Sequence, residues 1–156
     1  MRRVVFDIEA NGFYEDVRSI WCIVAHDLES GVTRRYSPFD IDEGVRYLRS
    51  ADVLIGHNII GYDLPVIWKV HGAWDTVPLV LDTLVLSCFL MPERWGGHGL
   101  EAWGKLLGFP KGDFHDFSTY SKEMLEYCER DVKLNIKVLE KLEVEYGSAL
   151  NGFKVY

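Results

Sequence analysis

The chain has 156 residues, of which 48% are apolar and 26% charged, and a net charge of −7. These values describe one globular domain, 1–156, with a core large enough to do without disulfides. They exclude a membrane-spanning stretch and a protein that coats long duplex DNA through its phosphates, since such proteins are basic. An acidic chain still fits an enzyme that grips a few terminal nucleotides through bound cations, or one that leans on a basic partner. The start, MRRVVFDIEANG, has too short an apolar run for a secretory signal. Cys22, Cys88 and Cys128 are odd in number, far apart in sequence and without zinc-site spacing, which predicts reduced thiols and a cytoplasmic location.

In chain order, residues 3–8 form an apolar run that predicts a strand, ended by Asn11-Gly12. Residues 19–26 are the most β-like segment. Ser30-Gly31 signals a hairpin turn, and 32–36 is the return strand before Pro38. A helix follows over 42–50, then a short strand over 53–56. Asp63 opens a helix that reaches about residue 71, with Pro65 in the first turn, where proline is tolerated. A short strand at 80–81 precedes a helix over 83–90, and 92–99 is a loop rich in glycine and proline. Residues 100–107 are helical, stopped by Gly108. Ser121 then caps a long amphipathic helix to about residue 146, with Leu125, Val132, Ile136, Leu139 and Leu142 inward. Three antiparallel strands followed by crossover strands predict an α/β fold, a mixed sheet flanked by helices in the RNase H-like order.

Three stretches carry chemistry. Asp7 and Glu9, two apart on a strand, share one face of an otherwise apolar segment. Two like charges there repel and are costly to desolvate unless a cation joins them; acids at a strand end facing water are the plain alternative. HNIIGYD sets Asn58 five residues before Asp63 across a strand-to-helix connection, where α/β folds keep ligands; a helix-capping Asp63 is the alternative. Tyr127 and Asp131 are four apart on the last helix, hence on one face, while Glu129 and Arg130 point elsewhere. The spacings of His57, His71, His98 and His115 match no zinc motif, and His98, just before a helix, could cap it or touch a phosphate.

Taken together, FDIEANG, Asn58 with Tyr62-Asp63, and Tyr127-x-x-x-Asp131 resemble the DEDD superfamily of 3′–5′ exonucleases, in the branch with tyrosine in its third motif. DTLVLS, HGLEAWG, LGFPKGD and YCERDV extend the resemblance, over nearly the whole chain, to the editing domain of family-A DNA polymerases from short-tailed phages. The resemblance implies a metal-dependent exonuclease that removes nucleoside 5′-monophosphates from single-stranded or frayed DNA 3′ ends. Asp7, Glu9, Asp63 and Asp131 would hold two cations, Mg²⁺ or Mn²⁺. Asp7 would bridge them, Glu9 and Asp131 would complete the tighter site, and Asp63 the second. Tyr127 would orient the attacking water, and Asn58 would place the substrate or Asp63. Ala10, Asn11 and Gly12 would approach the terminal nucleotide, with His98 on a phosphate. Phe13 is a candidate for base stacking, whereas Tyr62 and Trp103 read as core.

The chain ends at Tyr156, far short of a polymerase, and the 82–98 segment is shorter than in those domains. This implies an exonuclease domain standing alone, phage-encoded and working in a host cytoplasm, with a separate DNA polymerase or other replication protein as partner. Two alternatives stay open: trimming of short RNA, as oligoribonucleases do, and a non-catalytic adaptor that binds a replication protein.

Overall fold

In this computed structural model, which describes the backbone of residues 1–150 and the side chains of 1–147, five strands form one sheet in the order β3-β2-β1-β4-β5. The strands are β1 (Arg3–Ala10), β2 (Ile20–Asp27), β3 (Thr33–Tyr36), β4 (Val53–Gly56) and β5 (Leu79–Asp82). The first three are antiparallel neighbours, and β4 and β5 run parallel to β1. The helices are α1 (Ile41–Arg49), α2 (Asp63–His71), α3 (Thr83–Leu90), α4 (Leu100–Leu107) and α5 (Lys122–Leu150). The mixed α/β sheet predicted from the sequence is the one observed. Residues 151–156 of the predicted domain lie outside the described residues. None of the described helices is long and apolar enough to cross a membrane.

The alternation along β1 explains both layers. Val4, Phe6, Ile8 and Ala10 face a core completed by Ile41, Val45 and Leu48 of α1 and by Leu64, Val66 and Ile67 of α2. Val5 faces the other core, with Cys22 and Val24 of β2, Ile55 of β4, and Met124, Cys128, Val132 and Leu139 of α5. Burying each of these larger side chains is worth about 1.5–3 kcal/mol. Asp7 and Glu9 share the pleat of Val5, so they point to the α5 layer.

Helix α5 has a second apolar contact, where Leu134, Val138 and Leu142 meet Trp103 of α4. That contact corrects the inward face expected for α5: Leu125 and Ile136 are only half-buried, while Met124, Cys128, Leu134 and Val138 are fully covered. A helix packed against two partners buries a wider stripe than one periodic face. Ser121 caps it as expected, its hydroxyl accepting the Met124 N–H at 3.1 Å.

Two boundaries differ from expectation in ways that bear on the acids. Strand β1 runs on to Ala10, because pairing with β2 continues through Glu9 opposite Cys22 and breaks register only between Glu9 and Ala10. The extra residue there is Trp21 of β2, so the ladder is interrupted just past the second acid. Asp63 does not serve as the side-chain cap of α2. Tyr62 holds the N-cap position without a side-chain bond, and an Asp63 oxygen instead accepts the Ile8 N–H at 3.1 Å. Strand β4 pairs with β1 only as far as Ile55 opposite Val5. On that edge of β1 the Ile8 donor therefore lies beyond the reach of β4, and Asp63 satisfies it.

Candidate active site

Asp7 and Glu9 meet α5 through Cys128. Its thiol lies 3.4 Å from both the Asp7 carbonyl and Asp7 Oδ2, and one ligand atom each from Asp7, Glu9 and Cys128 fall within 4.8 Å of one another. Asp131, one turn below Tyr127 on α5, adds a third carboxyl that is only 4% exposed. Asp63 comes in from the opposite side through its bond to Ile8, also buried. Acids from β1, α2 and α5 thus crowd one region.

Burial dominates their titration. It pushes Asp7 up to about 8, helped by the Asp131 charge and opposed by Lys111. Burial, then Asp7, Cys22 and Asp131, push Glu9 up to about 10. Asp63 is raised by burial and then by Asp7. Asp131 is raised by burial against the pull of Lys111. Burial raises all four, and neighbouring like charges add to it at Asp7, Glu9 and Asp63.

Lys111 supplies part of that missing charge, and the sequence reading assigned it no role. Its Nζ lies 3.1 Å from Asp131 Oδ2 and 5.2 Å from the centre of the Tyr127 ring. Burial alone would lower this ammonium, but the Asp131 carboxylate wins and holds it above its ordinary value. The other Asp131 oxygen, Oδ1, is buried with no hydrogen-bond partner. Lys111 stands in the segment between α4 and α5. That segment is tied down where Arg130 donates to the Pro110 carbonyl at 2.7 Å and Trp21 donates to the Phe117 carbonyl at 2.9 Å. Phe114 and Phe117 wall the Tyr127 ring at centroid distances of 5.7 and 6.2 Å. Burial raises the Tyr127 phenol, against the pull of Lys111.

Asp82 is the second residue that the sequence did not single out for the site. Its carboxylate accepts the N–H groups of Asn58 at 2.9 Å, Ile60 at 3.0 Å and Leu84 at 2.9 Å. It therefore caps α3 and straps the HNIIGYD loop in one interaction set. Asn58 sits in that loop at φ 64°, a left-handed conformation that asparagine tolerates better than most residues. An acid before an apolar helical run is a readable capping signal; the strap across to the loop is not. His57, pushed down to about 4 by burial, rests its Nδ1 2.9 Å from the Thr83 hydroxyl.

Next to Glu9 opens a cavity of about 620 Å³, lined among others by Ala10, Gly12, Asn58, Phe13, Tyr62 and Phe117. Three of the residues expected to approach a nucleotide, Ala10, Gly12 and Asn58, are therefore on its wall. Asn11 is not; its side-chain oxygen accepts the N–H groups of Arg18 and Ser19 at 2.9 and 3.0 Å. His98 is not either. Its Nδ1 lies 2.7 Å from the Ser87 hydroxyl, and the helix after it takes no side-chain cap. Phe13 is 81% exposed at the cavity rim. The Tyr62 hydroxyl donates to the Gly12 carbonyl at 2.6 Å, and Trp103 is fully buried with its indole N–H on Ser87.

Strand order 3-2-1-4-5 with helices on both faces defines the RNase H-like exonuclease fold, and solved structures share it. The chain superposes on NrnC of Brucella melitensis bound to pGG with a TM-score of 0.67, at 21% identity over 94% of this chain and 74% of that one. It superposes on E. coli Exonuclease I in complex with a dT13 oligonucleotide with a TM-score of 0.67, at 15% identity over 96% and 42%. E. coli RNase D gives 0.66, at 21% identity over 94% and 40%. No protein-family model matches the chain. In sequence it is similar to the DNA-directed DNA polymerases of Enterobacteria phage T3 and Escherichia phage T7. Each is 28% identical over 89% of this chain, which spans about a quarter (26%) of either polymerase. Sequence relatives and fold together support the DEDD superfamily of 3′–5′ exonucleases.

Proposed function

We propose that this protein is a metal-dependent 3′–5′ exonuclease acting on DNA 3′ ends, single-stranded or frayed, and releasing nucleoside 5′-monophosphates. One observation carries the reading. Asp7 and Glu9, half-buried, and Asp63 and Asp131, buried, crowd one region with Lys111 as the ion-pair partner of one of them. Such a donor set, all oxygen and with its charge only partly offset by Lys111, fits hard divalent cations such as Mg²⁺ or Mn²⁺. The partnerless Asp131 Oδ1 is an acceptor available to one. Asp7, Glu9 and Asp131 would hold one cation and Asp7 with Asp63 the second. Bound there, two such ions stabilise the attacking and leaving oxygens of an in-line displacement.

The chain's own groups supply the rest. Tyr127, a phenol already protonated at neutral pH and raised further by burial, hydrogen-bonds and orients the attacking water rather than taking its proton. Phe114 and Phe117 fix its ring. The 3′-terminal base enters the cavity beside Glu9 and stacks on Phe13 or Phe117, at about 1–3 kcal/mol per base. Asn58, in its strapped loop, positions the sugar-phosphate. A DNA substrate is favoured by the kinship with DNA polymerases, and a separate polymerase is the partner such an editing activity would serve.

The test is a gel of 5′-labelled single-stranded DNA, mismatched duplex and matched RNA. Stepwise 3′ shortening of the DNA should need Mg²⁺ or Mn²⁺ and stop with EDTA. Asp7→Ala should abolish it with the fold intact. Tyr127→Phe should slow it by about a hundredfold while cation binding stays near normal. Shortening unaffected by chelation, or retained in Asp7→Ala, would refute the reading; preference for the RNA would move the substrate class.

A further inference from the structure

The outward face of α5 borders a second cavity, of about 580 Å³, none of whose lining residues lines the one beside Glu9. That volume is in the range of ligand-sized clefts. Phe109, Gly112 and Phe114, from the segment between α4 and α5, form one wall. Glu123, Glu126 and Tyr127 form the other, three and four residues apart and so on one face of the helix. Rings of this cavity already seat cations: Arg130 lies over Phe109 at 4.3 Å, Lys137 over the same ring at 5.3 Å, and Lys111 over Tyr127 at 5.2 Å. Phe114, half-buried, has only the Phe117 and Tyr127 rings beside it, at 5.1 and 5.7 Å.

The rim has carboxylates to spare. Glu129 is matched by Arg35 at 2.6 Å and by Lys133 at 3.0 Å, and Arg130 is turned to the Pro110 carbonyl. Glu123 and Glu126 are exposed and have no ion pair among the described residues. Unmatched acids over an aromatic wall repel phosphates and attract a cation carried on an apolar stem. We propose that this cavity docks a basic segment of a partner protein, with an arginine laid on Phe114 and its guanidinium held by Glu123 and Glu126. Arginine fits better than lysine, because a planar guanidinium stacks on a ring and forks onto carboxylates. Such a partner also supplies what a chain of net charge −7 lacks, a hold on nucleic-acid phosphates away from the active-site acids.

The docking goes beyond the exonuclease reading and stands without it. Its probe is a short fluorescein-labelled oligoarginine peptide, followed by anisotropy at physiological salt. The peptide should bind saturably and more tightly than oligolysine of the same length. Glu123→Lys with Glu126→Lys should weaken it by about tenfold or more. Glu15→Lys with Asp75→Lys, two exposed acids near α2 whose reversal gives the same net charge, should change it less than about twofold. Asp7→Asn should leave it unchanged, and Phe114→Leu should weaken it by about two- to fivefold. Circular dichroism checks folding, with Glu123→Gln and Glu126→Gln as the milder pair. In hydrogen exchange, the peptide should protect residues 109–114 and a single-stranded oligonucleotide should not. No saturable binding, or an equal loss in the two charge-reversed proteins, overturns the proposal. Protection of 109–114 by the oligonucleotide instead of the peptide overturns it too, and makes the cavity part of a nucleic-acid path. All these readouts are of binding, so a failure to shorten DNA with Mg²⁺ counts against the exonuclease reading alone.

Discussion

Lys111 ties three groups together: its ammonium pairs with Asp131, lies over the Tyr127 ring and offsets the Asp7 charge. It repels the cations that the acids attract, and removing it has consequences of opposite sign. Lys111→Met should bind Mn²⁺ more tightly by calorimetry, since a like charge leaves the site. The same variant should be less stable without metal, because Asp131 then keeps a buried charge with no partner, a loss of about 3–5 kcal/mol at the upper end. Unchanged Mn²⁺ affinity would show that the ammonium does not share the cation's ground. The acids themselves were legible in the sequence, because two-residue and four-residue spacings fix faces on a strand and a helix. Lys111 was not, since it belongs to a segment without periodicity and its place depends on where Arg130 and Trp21 anchor that segment.

Element positions depend on a few close approaches. Gly104 in α4 leaves room for the segment that carries Lys111: a Cβ there would meet the Phe109 carbonyl oxygen at 2.8 Å and the Lys111 nitrogen at 3.0 Å, both backbone atoms. Gly104→Ala should therefore cost about 1–3 kcal/mol in a denaturant melt and lower activity by shifting Lys111. Gly99→Ala, where a Cβ meets nothing, should do neither. The contrast also marks how far the element pattern could be read. Strand β4 and helices α2, α3 and α4 fall where turn and cap residues put them. The extension of β1 past Ile8 and the breadth of the buried stripe on α5 come from pairing with β2 and packing on α4, which no local window contains.

For the molecule as a whole, the raised carboxyls make folding depend on pH in an unusual direction. Asp7, at about 8 when folded against 3.8 in the open chain, and Glu9, at about 10 against 4.5, hold protons that the unfolded chain has already lost. Stability without metal must fall as pH rises between 6.5 and 8, by about 1.4 kcal/mol per pH unit for each extra proton held. Below that window His57, shifted down from 6.5 to about 4, contributes with the opposite sign. Thermal melts in EDTA at the two ends of the window should show the decline; Mg²⁺ should flatten it, and Asp7→Asn should reduce it. A melt that strengthens with pH would contradict the burial of these acids.

The bond from the Ile8 amide to Asp63 has a consequence for assembly. It joins the ends of two remote segments through a carboxylate that a cation would also claim, so the scaffold closes with its own hydrogen as the temporary occupant. An ion arriving later finds the cage built and needs only to trade places with protons and an ammonium. Loading should then be a swap inside a finished framework, and refolding followed by tryptophan fluorescence should run at the same rate in Mg²⁺ and in EDTA; a rate that climbs with Mg²⁺ would contradict this order of events.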